Sequence, residues 1–221
     1  MENEIVRNMV VLFLYISVSL MTVFARVYHK RTLLYVSKPL MMPCLLLFYL
    51  VSYMFLQPVI IAALFFAWTG DILLLWYKTR KWLIAGMHSF LVVQLLYIVF
   101  MFRHQVDANS FSTFSIIFVV VFLFAGIYIY KRLYKYWKEL KIAVLIYIFA
   151  ELCFSYLCFV HWADQMTDVS TVQLLGSLLF LVSDTIMAFD TFRKHVRKSG
   201  GWILGTYATA QLFILVGFMN W

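Results

Sequence analysis

The sequence predicts an all-α membrane protein in which eight helices cross the bilayer. Three observations support this fold class. The 221 residues are 65% apolar and 13% charged, whereas soluble domains are about 45–50% apolar and about 25% charged. The apolar residues form continuous runs of about 20, the helix length that spans a hydrocarbon core of about 30 Å. Short basic clusters separate these runs, and little sequence remains for a soluble domain.

The predicted spans follow from the apolar runs in order. Glu2, Glu4 and a single Arg7 precede the first run, and because this flank lacks the basic region of a signal peptide we expect an uncleaved first helix. Gln57–Pro58 predicts a tight turn, since proline fits the first turn of a helix and disfavours helix at the residue before it. The runs lack the alternation of barrel strands. The predicted spans are residues 5–25, 39–56, 58–77, 82–102, 111–130, 142–161, 170–190 and 202–220, within a single transmembrane domain over residues 1–221.

The basic residues predict the orientation of the helices. Sixteen of the 18 Lys and Arg residues lie in the loops after helices 1, 3, 5 and 7, and only Arg7 and Arg103 lie on the other side. By the positive-inside rule the odd loops are cytoplasmic, and both termini lie on the non-cytoplasmic side. The sixteen residues are Arg26, Lys30, Arg31, Lys38, Lys78, Arg80, Lys81, Lys131, Arg132, Lys135, Lys138, Lys141, Arg193, Lys194, Arg197 and Lys198.

Charge and cysteine content exclude several classes of protein. The net charge of +8 does not indicate nucleic-acid binding, because the basic residues occur in short clusters between spans; membrane lipids with anionic head groups are the partners they predict. Cys44, Cys153 and Cys158 lie inside apolar runs, without the spacing of a disulfide framework or a zinc site. We therefore expect no metal and no cofactor. The sequence leaves the oligomeric state open.

A faint internal repeat relates helices 3 and 7. Residues 66–72 read FAWTGDI and residues 180–186 read FLVSDTI, and each segment precedes a basic loop and then a Trp and a Gly. Helices 3 and 7 run in the same direction in the predicted topology. The pattern predicts a parallel four-plus-four duplication of the kind some transporters have.

Four ionisable residues lie well inside predicted spans: Asp71, His88, Glu151 and Asp184. Such residues are rare in membranes and a functional role is the default hypothesis for them. Asp71 precedes the basic loop after helix 3 and Asp184 that after helix 7, which places both about 10–14 Å from the inner basic layer at about 1.5 Å per residue. With nearby polar residues they predict one cavity in the cytoplasmic half, open to the inner leaflet or the cytoplasm.

Two aspartates at one depth predict a paired acid and base. This is the usual requirement for hydrolysis without a covalent nucleophile. In the alternative interpretation, each aspartate separately bonds to a neighbouring helix. His88 is equally consistent with helix packing, and Glu151 with either a third site carboxylate or a structural role. Gln94 and Gln211 are typical of hydrogen bonds between membrane helices.

The chain resembles the lysoplasmalogenase family of YhhN-like membrane proteins. The resemblance lies in short segments that follow one another in the family's order from helix 2 to helix 8. The Lys-Pro-Leu, Gly-Asp and Ser-Asp segments are its most specific part. The matching residues are 37–43 (SKPLMMP), 68–74 (WTGDILL), Gly86, Phe90, Tyr97, Ile146, Tyr147, Gly176, Phe180, Ser183, Asp184, Ala188, Tyr207 and Gln211.

This resemblance implies an eight-helix enzyme of lipid metabolism, an ether hydrolase. It would cleave the vinyl-ether bond of a lysophospholipid substrate, a lysoplasmalogen, to a fatty aldehyde and glycerophosphoethanolamine or glycerophosphocholine. The family's two aspartates match Asp71 and Asp184 as catalytic residues. Lys38, Tyr147, Tyr207 and Gln211 match positions that the resemblance implies line the substrate pocket. The other residues expected to bind substrate are Ser183, Gln94 and Tyr97, with His88 and Glu151 as possible members of the site. Lys38 would either bind the lipid phosphate or contribute only to the membrane topology.

Helix 4 departs from the family pattern at one position. The family usually shows Phe-x-x-x-His-x-x-Tyr, and here Gln94 stands at the histidine position between Phe90 and Tyr97. Glutamine keeps hydrogen bonding but does not titrate. His88 lies six residues earlier, about 240° round a helix with about 3.6 residues per turn, so it cannot simply replace the missing histidine.

Two other classes of function remain open from sequence. A proton-coupled transporter of small molecules or lipids would use the aspartates as a proton relay, although such transporters often break helices at mid-membrane. Helices 3 and 7 have no mid-span proline, and only Gly70 and Gly176 interrupt them. A non-catalytic lysolipid-binding protein is the third class, and Gln94 supports it because glutamine does not titrate.

Overall fold

The computed structural model describes residues 2–111, 113–133, 140–192 and 199–219, and within these residues the regular structure is helical throughout. This confirms the all-α prediction. The long helices of the described chain are α1 (Glu2–Val27), α2 (Arg31–Ser52), α3 (Pro58–Leu73), α4 (Arg80–His104), α5 (Thr113–Leu133), α6 (Lys141–Gln165), α7 (Asp168–Phe192) and α8 (Ser199–Phe218). Short 3-10 helices follow α3 at Leu74–Trp76 and α4 at Ala108–Ser110.

Within the described residues, seven helices are long and apolar enough to cross a membrane, namely α1 to α4 and α6 to α8. The chain therefore has the helices of a multi-pass membrane protein. The spanning role of α5, which has 21 residues, stays a prediction, as do the orientation of the loops and termini. Some predicted features lie outside the described residues: Lys135, Lys138, Arg193, Lys194, Arg197, Lys198 and the end of the last span at Asn220.

Helix α2 corrects the predicted bounds of the second span. It begins at Arg31, not at Pro39, and ends at Ser52 rather than residue 56; every other predicted bound agrees with its helix to within four residues. Pro39 and Pro43 both lie inside the helix. Pro43 has no N–H for the Pro39 carbonyl one turn earlier, and the indole Nε1 of Trp68 donates to that carbonyl instead, at 2.8 Å. The helix therefore continues through both prolines.

The described chain divides into two compact units, Met1–Tyr97 and Ile98–Trp221. The first unit holds α1, α2, α3 and most of α4. The second unit holds the end of α4 and the helices from α5 to α8. The predicted four-plus-four repeat stays a prediction.

In the first unit, α1 and α3 pack against α2, and small residues allow close approach. Tyr15 from α1, Met41 and Leu45 from α2 and Ala67 from α3 are among its fully buried side chains. A Cβ added at Gly70 would lie 2.7 Å from the Phe90 ring, so α3 and α4 approach closely at this glycine. This packing fixes the position of Asp71, the residue after Gly70.

In the second unit, α7 lies closely against α8. A Cβ added at Gly176 would lie 2.8 Å from the Ile214 backbone nitrogen and 3.1 Å from the Ala210 carbonyl oxygen. The Phe180 and Tyr207 rings meet edge to face with centroids 5.7 Å apart. Helix α6 packs on α7 and buries an apolar face that also contains Glu151. These contacts set the positions of the polar residues on α6, α7 and α8.

Candidate functional site

An ion pair joins α2 to α3 in the first unit. The Lys38 Nζ lies 3.5 Å from the Asp71 Oδ1, and the two side chains are 11% and 2% exposed. Desolvation makes a buried pair costly to form, and removing one partner leaves an uncompensated charge. The Trp68–Pro39 hydrogen bond lies beside the pair on the same two helices. Lys38 is thus a direct partner of Asp71, a contact that the sequence analysis did not predict.

Tyr15 is a member of this site that the sequence analysis missed. It is buried on α1, within electrostatic reach of both Asp71 and Tyr97. A signal was present in the sequence: Tyr15, Ser19 and Thr22 follow one another at i, i+4 and i+7, the spacing of one helix face. All three side chains are buried. The length and apolarity of the first run predict a span, and this spacing adds a polar face to it.

The remaining predicted site residues of the first unit lie on α4 and differ in burial. Gln94 and Tyr97 are both buried, and with Phe90 they follow the spacing of one face. His88 is exposed, and its Nδ1 lies 2.8 Å from the carbonyl oxygen of Ile84 on its own helix. The structure therefore buries Gln94 and Tyr97 and places Tyr97 within electrostatic reach of Tyr15. His88 has a contact within its own helix.

Asp184 has a phenol partner in the second unit. The Tyr147 hydroxyl on α6 donates a hydrogen bond to the Asp184 Oδ2 on α7. The neighbouring Ser183 hydroxyl donates to the Ile203 carbonyl at the start of α8, at 3.0 Å. Ser183 therefore ties α7 to α8 and steadies the turn of helix that carries Asp184.

Glu151 adds a second carboxyl group to this cluster. It is 1% exposed and lies one helical turn after Tyr147 on α6. It is within electrostatic reach of both Asp184 and Tyr147. Two carboxyl groups close together in an apolar setting do not both ionise readily, and such pairs commonly hold one proton between them. The group of Tyr147, Glu151 and Asp184 is hereafter the acid cluster.

Helix α8 supplies the last two predicted residues. Tyr207 and Gln211 are one turn apart and both buried. The Tyr207 ring packs against Phe180 of α7. Both residues thus belong to the buried side of α8 in the second unit.

The structure brings the predicted residues together in two groups. In the first unit Asp71 pairs with Lys38 and lies within electrostatic reach of Tyr15. In the second unit Asp184 accepts a hydrogen bond from Tyr147 and lies within electrostatic reach of Glu151. Each aspartate thus has a partner on a neighbouring helix of its own unit, as the alternative interpretation expected. Such contacts also orient a reactive carboxyl group, so they are compatible with catalysis. The single cavity predicted around these residues stays a prediction.

Buried carboxyl groups on long apolar helices define a class, a multi-pass membrane protein with ionisable sites inside its spans. The sequence model of the YhhN family matches residues 33–218. The chain therefore belongs to the YhhN family, which is the lysoplasmalogenase family. Comparisons with curated proteins and with solved structures found no match. The matched range begins after α1, so Tyr15 lies outside it.

Proposed function

We propose that the protein is a membrane-embedded hydrolase that cleaves the vinyl-ether bond of lysoplasmalogens. The products are a fatty aldehyde and glycerophosphoethanolamine or glycerophosphocholine. Membership of the YhhN family supports the class of enzyme. The observation that carries the proposal is the acid cluster, because cleavage of a vinyl ether begins with protonation of carbon and needs a carboxyl group that keeps its proton inside an apolar setting.

In the proposed reaction Asp184 is the acid. It transfers a proton to the β-carbon of the vinyl ether, which becomes an oxocarbenium ion. The Tyr147 hydroxyl holds one oxygen of Asp184, which leaves the other free to face the substrate. Glu151 shares the proton of the cluster in the resting enzyme. Two carboxyl groups in one apolar setting commonly hold a proton between them, and this proton is the one that the proposed reaction uses.

Asp71 is the proposed base. The ammonium of Lys38 stabilises its ionised form, and a fixed carboxylate stabilises a developing cation. Asp71 takes a proton from water as the water oxygen bonds to the cationic carbon, giving a hemiacetal. As the hemiacetal collapses, Asp71 returns this proton to the departing glycerol oxygen and Asp184 takes the hydroxyl proton. Both carboxyl groups end as they began, and only water is consumed.

The remaining family positions have proposed roles in holding the substrate. On the buried side of α8, Tyr207 provides a phenol and Gln211 an amide. On α4, Tyr97 provides a phenol and Gln94 an amide. Ser183 acts as a positioning residue, since its hydroxyl already bonds to α8. Gln94 replaces a titrating histidine of the family pattern, so this scheme assigns no proton transfer to helix α4.

Aldehyde release from lysoplasmenylethanolamine tests the proposal. Purified protein in detergent is compared with Asp71→Asn and Asp184→Asn, and both variants should lose at least about 100-fold in kcat, the usual contribution of general acid–base groups. Asp168→Asn, the same change at an exposed position in the first turn of α7, should keep the parental rate. A folded parent that binds the lipid but releases no aldehyde with either head group would overturn the hydrolase proposal.

Proton-coupled transport is the second candidate, because buried carboxyl groups in spans are also the parts of proton relays. The acid cluster is the observation that favours it. Proton flux into liposomes that depends on substrate and on Asp184, without aldehyde release, would establish it. Lysolipid binding without turnover or flux would instead favour the non-catalytic binding protein.

A further inference from the structure

Two cations of the first unit lie within electrostatic reach of each other, and one of them pairs with a carboxylate. Arg26 is in the last turn of α1 and is within electrostatic reach of Lys38 on α2. Asp71 pairs with Lys38, and no carboxylate in the described part of the chain pairs with Arg26. The cluster therefore carries an excess positive charge.

Tyr77 holds the Arg26 side chain in place. The Arg26 Nη2 donates to the Tyr77 hydroxyl at 3.2 Å, and the guanidinium carbon lies 5.6 Å from the centre of the Tyr77 ring. Arg26 is half-buried. A guanidinium has five N–H donors, so the bond to Tyr77 leaves most of them for a ligand. A side chain already held in one place loses less conformational entropy when it binds.

We propose that Arg26, supported by Tyr77 and Lys38, binds the phosphate of a single-chain phospholipid. The excess charge favours an anion, and the planar guanidinium matches phosphate oxygens in bidentate fashion. The end of α1 lies in the basic layer that the topology prediction places at the inner interface, which is the depth of lipid head groups. The choice of a lysolipid rests on the proposed function, whereas anion binding at Arg26 does not.

This assignment changes the role expected of Lys38. From its position in the sequence, Lys38 is expected to bind the lipid phosphate or to contribute only to topology, whereas the structure pairs its ammonium with Asp71. Arg26 therefore takes the phosphate and Lys38 links the phosphate site to the proposed base. In a lysoplasmalogen only the glycerol backbone separates the phosphate from the ether oxygen. A phosphate at Arg26 would thus bring the scissile bond towards Asp71.

Binding of an uncleavable lysolipid tests the site. Ester-linked lysophosphatidylethanolamine and a monoacylglycerol of the same chain length are titrated into the purified full chain. Arg26→Gln should weaken lysophospholipid binding about 10-fold to 100-fold, the range for hydrogen bonds to charged groups, and leave monoacylglycerol binding unchanged. Arg31→Gln, the same change at an exposed position of α2, should alter neither. Tyr77→Phe should give a smaller loss, confined to the lysophospholipid.

The outcomes separate this site from the catalytic proposal. Because the probe lipid has no vinyl ether, the binding result is independent of aldehyde release. An Arg26→Gln variant that binds both lipids as the parent does, or loses both equally, would overturn the phosphate site. Inorganic phosphate that competes at concentrations similar to the lysophospholipid would assign the site to free phosphate and overturn the lipid assignment.

Discussion

The two catalytic aspartates of the proposed reaction differ in what surrounds each carboxyl group. Asp71 faces an ammonium, at 3.5 Å, whereas Asp184 accepts from a phenol and has Glu151 as a second carboxyl nearby. An adjacent cation favours the ionised form of a carboxyl group, and two carboxyl groups in one apolar setting commonly hold a proton between them. Sequence spacing alone left open which aspartate is the acid. Because of these unlike surroundings, the proposed reaction uses Asp184 as the acid and Asp71 as the base.

Glu151→Gln tests proton sharing in the acid cluster. Glutamine keeps the size and hydrogen bonding of Glu151 but cannot ionise, so the variant should lose about 10-fold to 100-fold in kcat with little change in KM. This is at or below the loss expected for a direct acid or base. Infrared difference spectra should show that Glu151→Gln and Asp184→Asn both change the same protonated-carboxyl band, since one proton is shared.

Ser155→Ala is the matched control for this prediction. Ser155 lies one turn beyond Glu151 on α6, is fully buried, and has no hydrogen-bond partner for its hydroxyl. Its removal should leave both kcat and the carboxyl band at their parental values. A Glu151→Gln variant with parental kcat and an unchanged band would show that Glu151 has only a packing role.

Among the helices, α2 and α7 each depend on a specific contact between the backbone of one helix and a neighbouring helix. Helix α2 keeps two interior prolines because Trp68 of α3 donates to the carbonyl that Pro43 leaves without its helical partner. Helix α7 uses Gly176 to contact the backbone of α8. Small residues at such crossings allow the close packing on which membrane helices depend, since lipid removes the hydrophobic drive for association.

Gly176→Ala should destabilise the α7–α8 pair. The new Cβ would lie 2.8 Å from a backbone nitrogen, which cannot rotate away, so the helices must separate. Overpacking of this kind lowers the free energy of unfolding by about 1–3 kcal/mol. Thermal unfolding in detergent measures the change. At Gly205 a Cβ meets nothing within 4 Å, so Gly205→Ala should be neutral or slightly stabilising; equal effects at both glycines would contradict the packing argument.

At the scale of the whole molecule, the basic residues predict how the chain crosses the membrane. Sixteen of them come after the predicted odd-numbered spans in the sequence. By the positive-inside rule this pattern predicts that α5 spans as well, because otherwise the later clusters would lie on the opposite side. The matched family range includes α5. Helix α5 is thus the element on which the predicted eight-span topology depends.

Cysteine accessibility tests this topology. In a background without the native cysteines, single cysteines are introduced as Thr79→Cys, Asn109→Cys and Leu140→Cys, in three successive loops between helices. A membrane-impermeant maleimide should reach the first and third only from the cytoplasmic side and the second only from the opposite side. Labelling of Asn109→Cys and Leu140→Cys from the same side would show that α5 does not cross the membrane.

By itself the sequence determined the class of the protein and nearly all of its helices. Length and apolarity of each run are properties of a continuous segment, so they can be read along the chain. The same holds for the Lys-Pro-Leu, Gly-Asp and Ser-Asp segments, which indicated the family before any fold was known. Helix 2 was the exception, because a proline inside a helix resembles a proline at its start, and the donor that makes the difference, Trp68, belongs to another helix.

Only the tertiary structure decided which polar groups meet. Lys38 pairs with Asp71, Tyr15 joins them from α1, and His88 bonds to its own helix. The positions of Lys38 and Tyr15 near Asp71 do not follow from spacing along one segment, because they depend on which faces of two helices pack together and on the direction of the side chains between them. A reaction requires its groups to lie within bonding distance of one another. In a helical membrane protein, the packing between helices brings them that close.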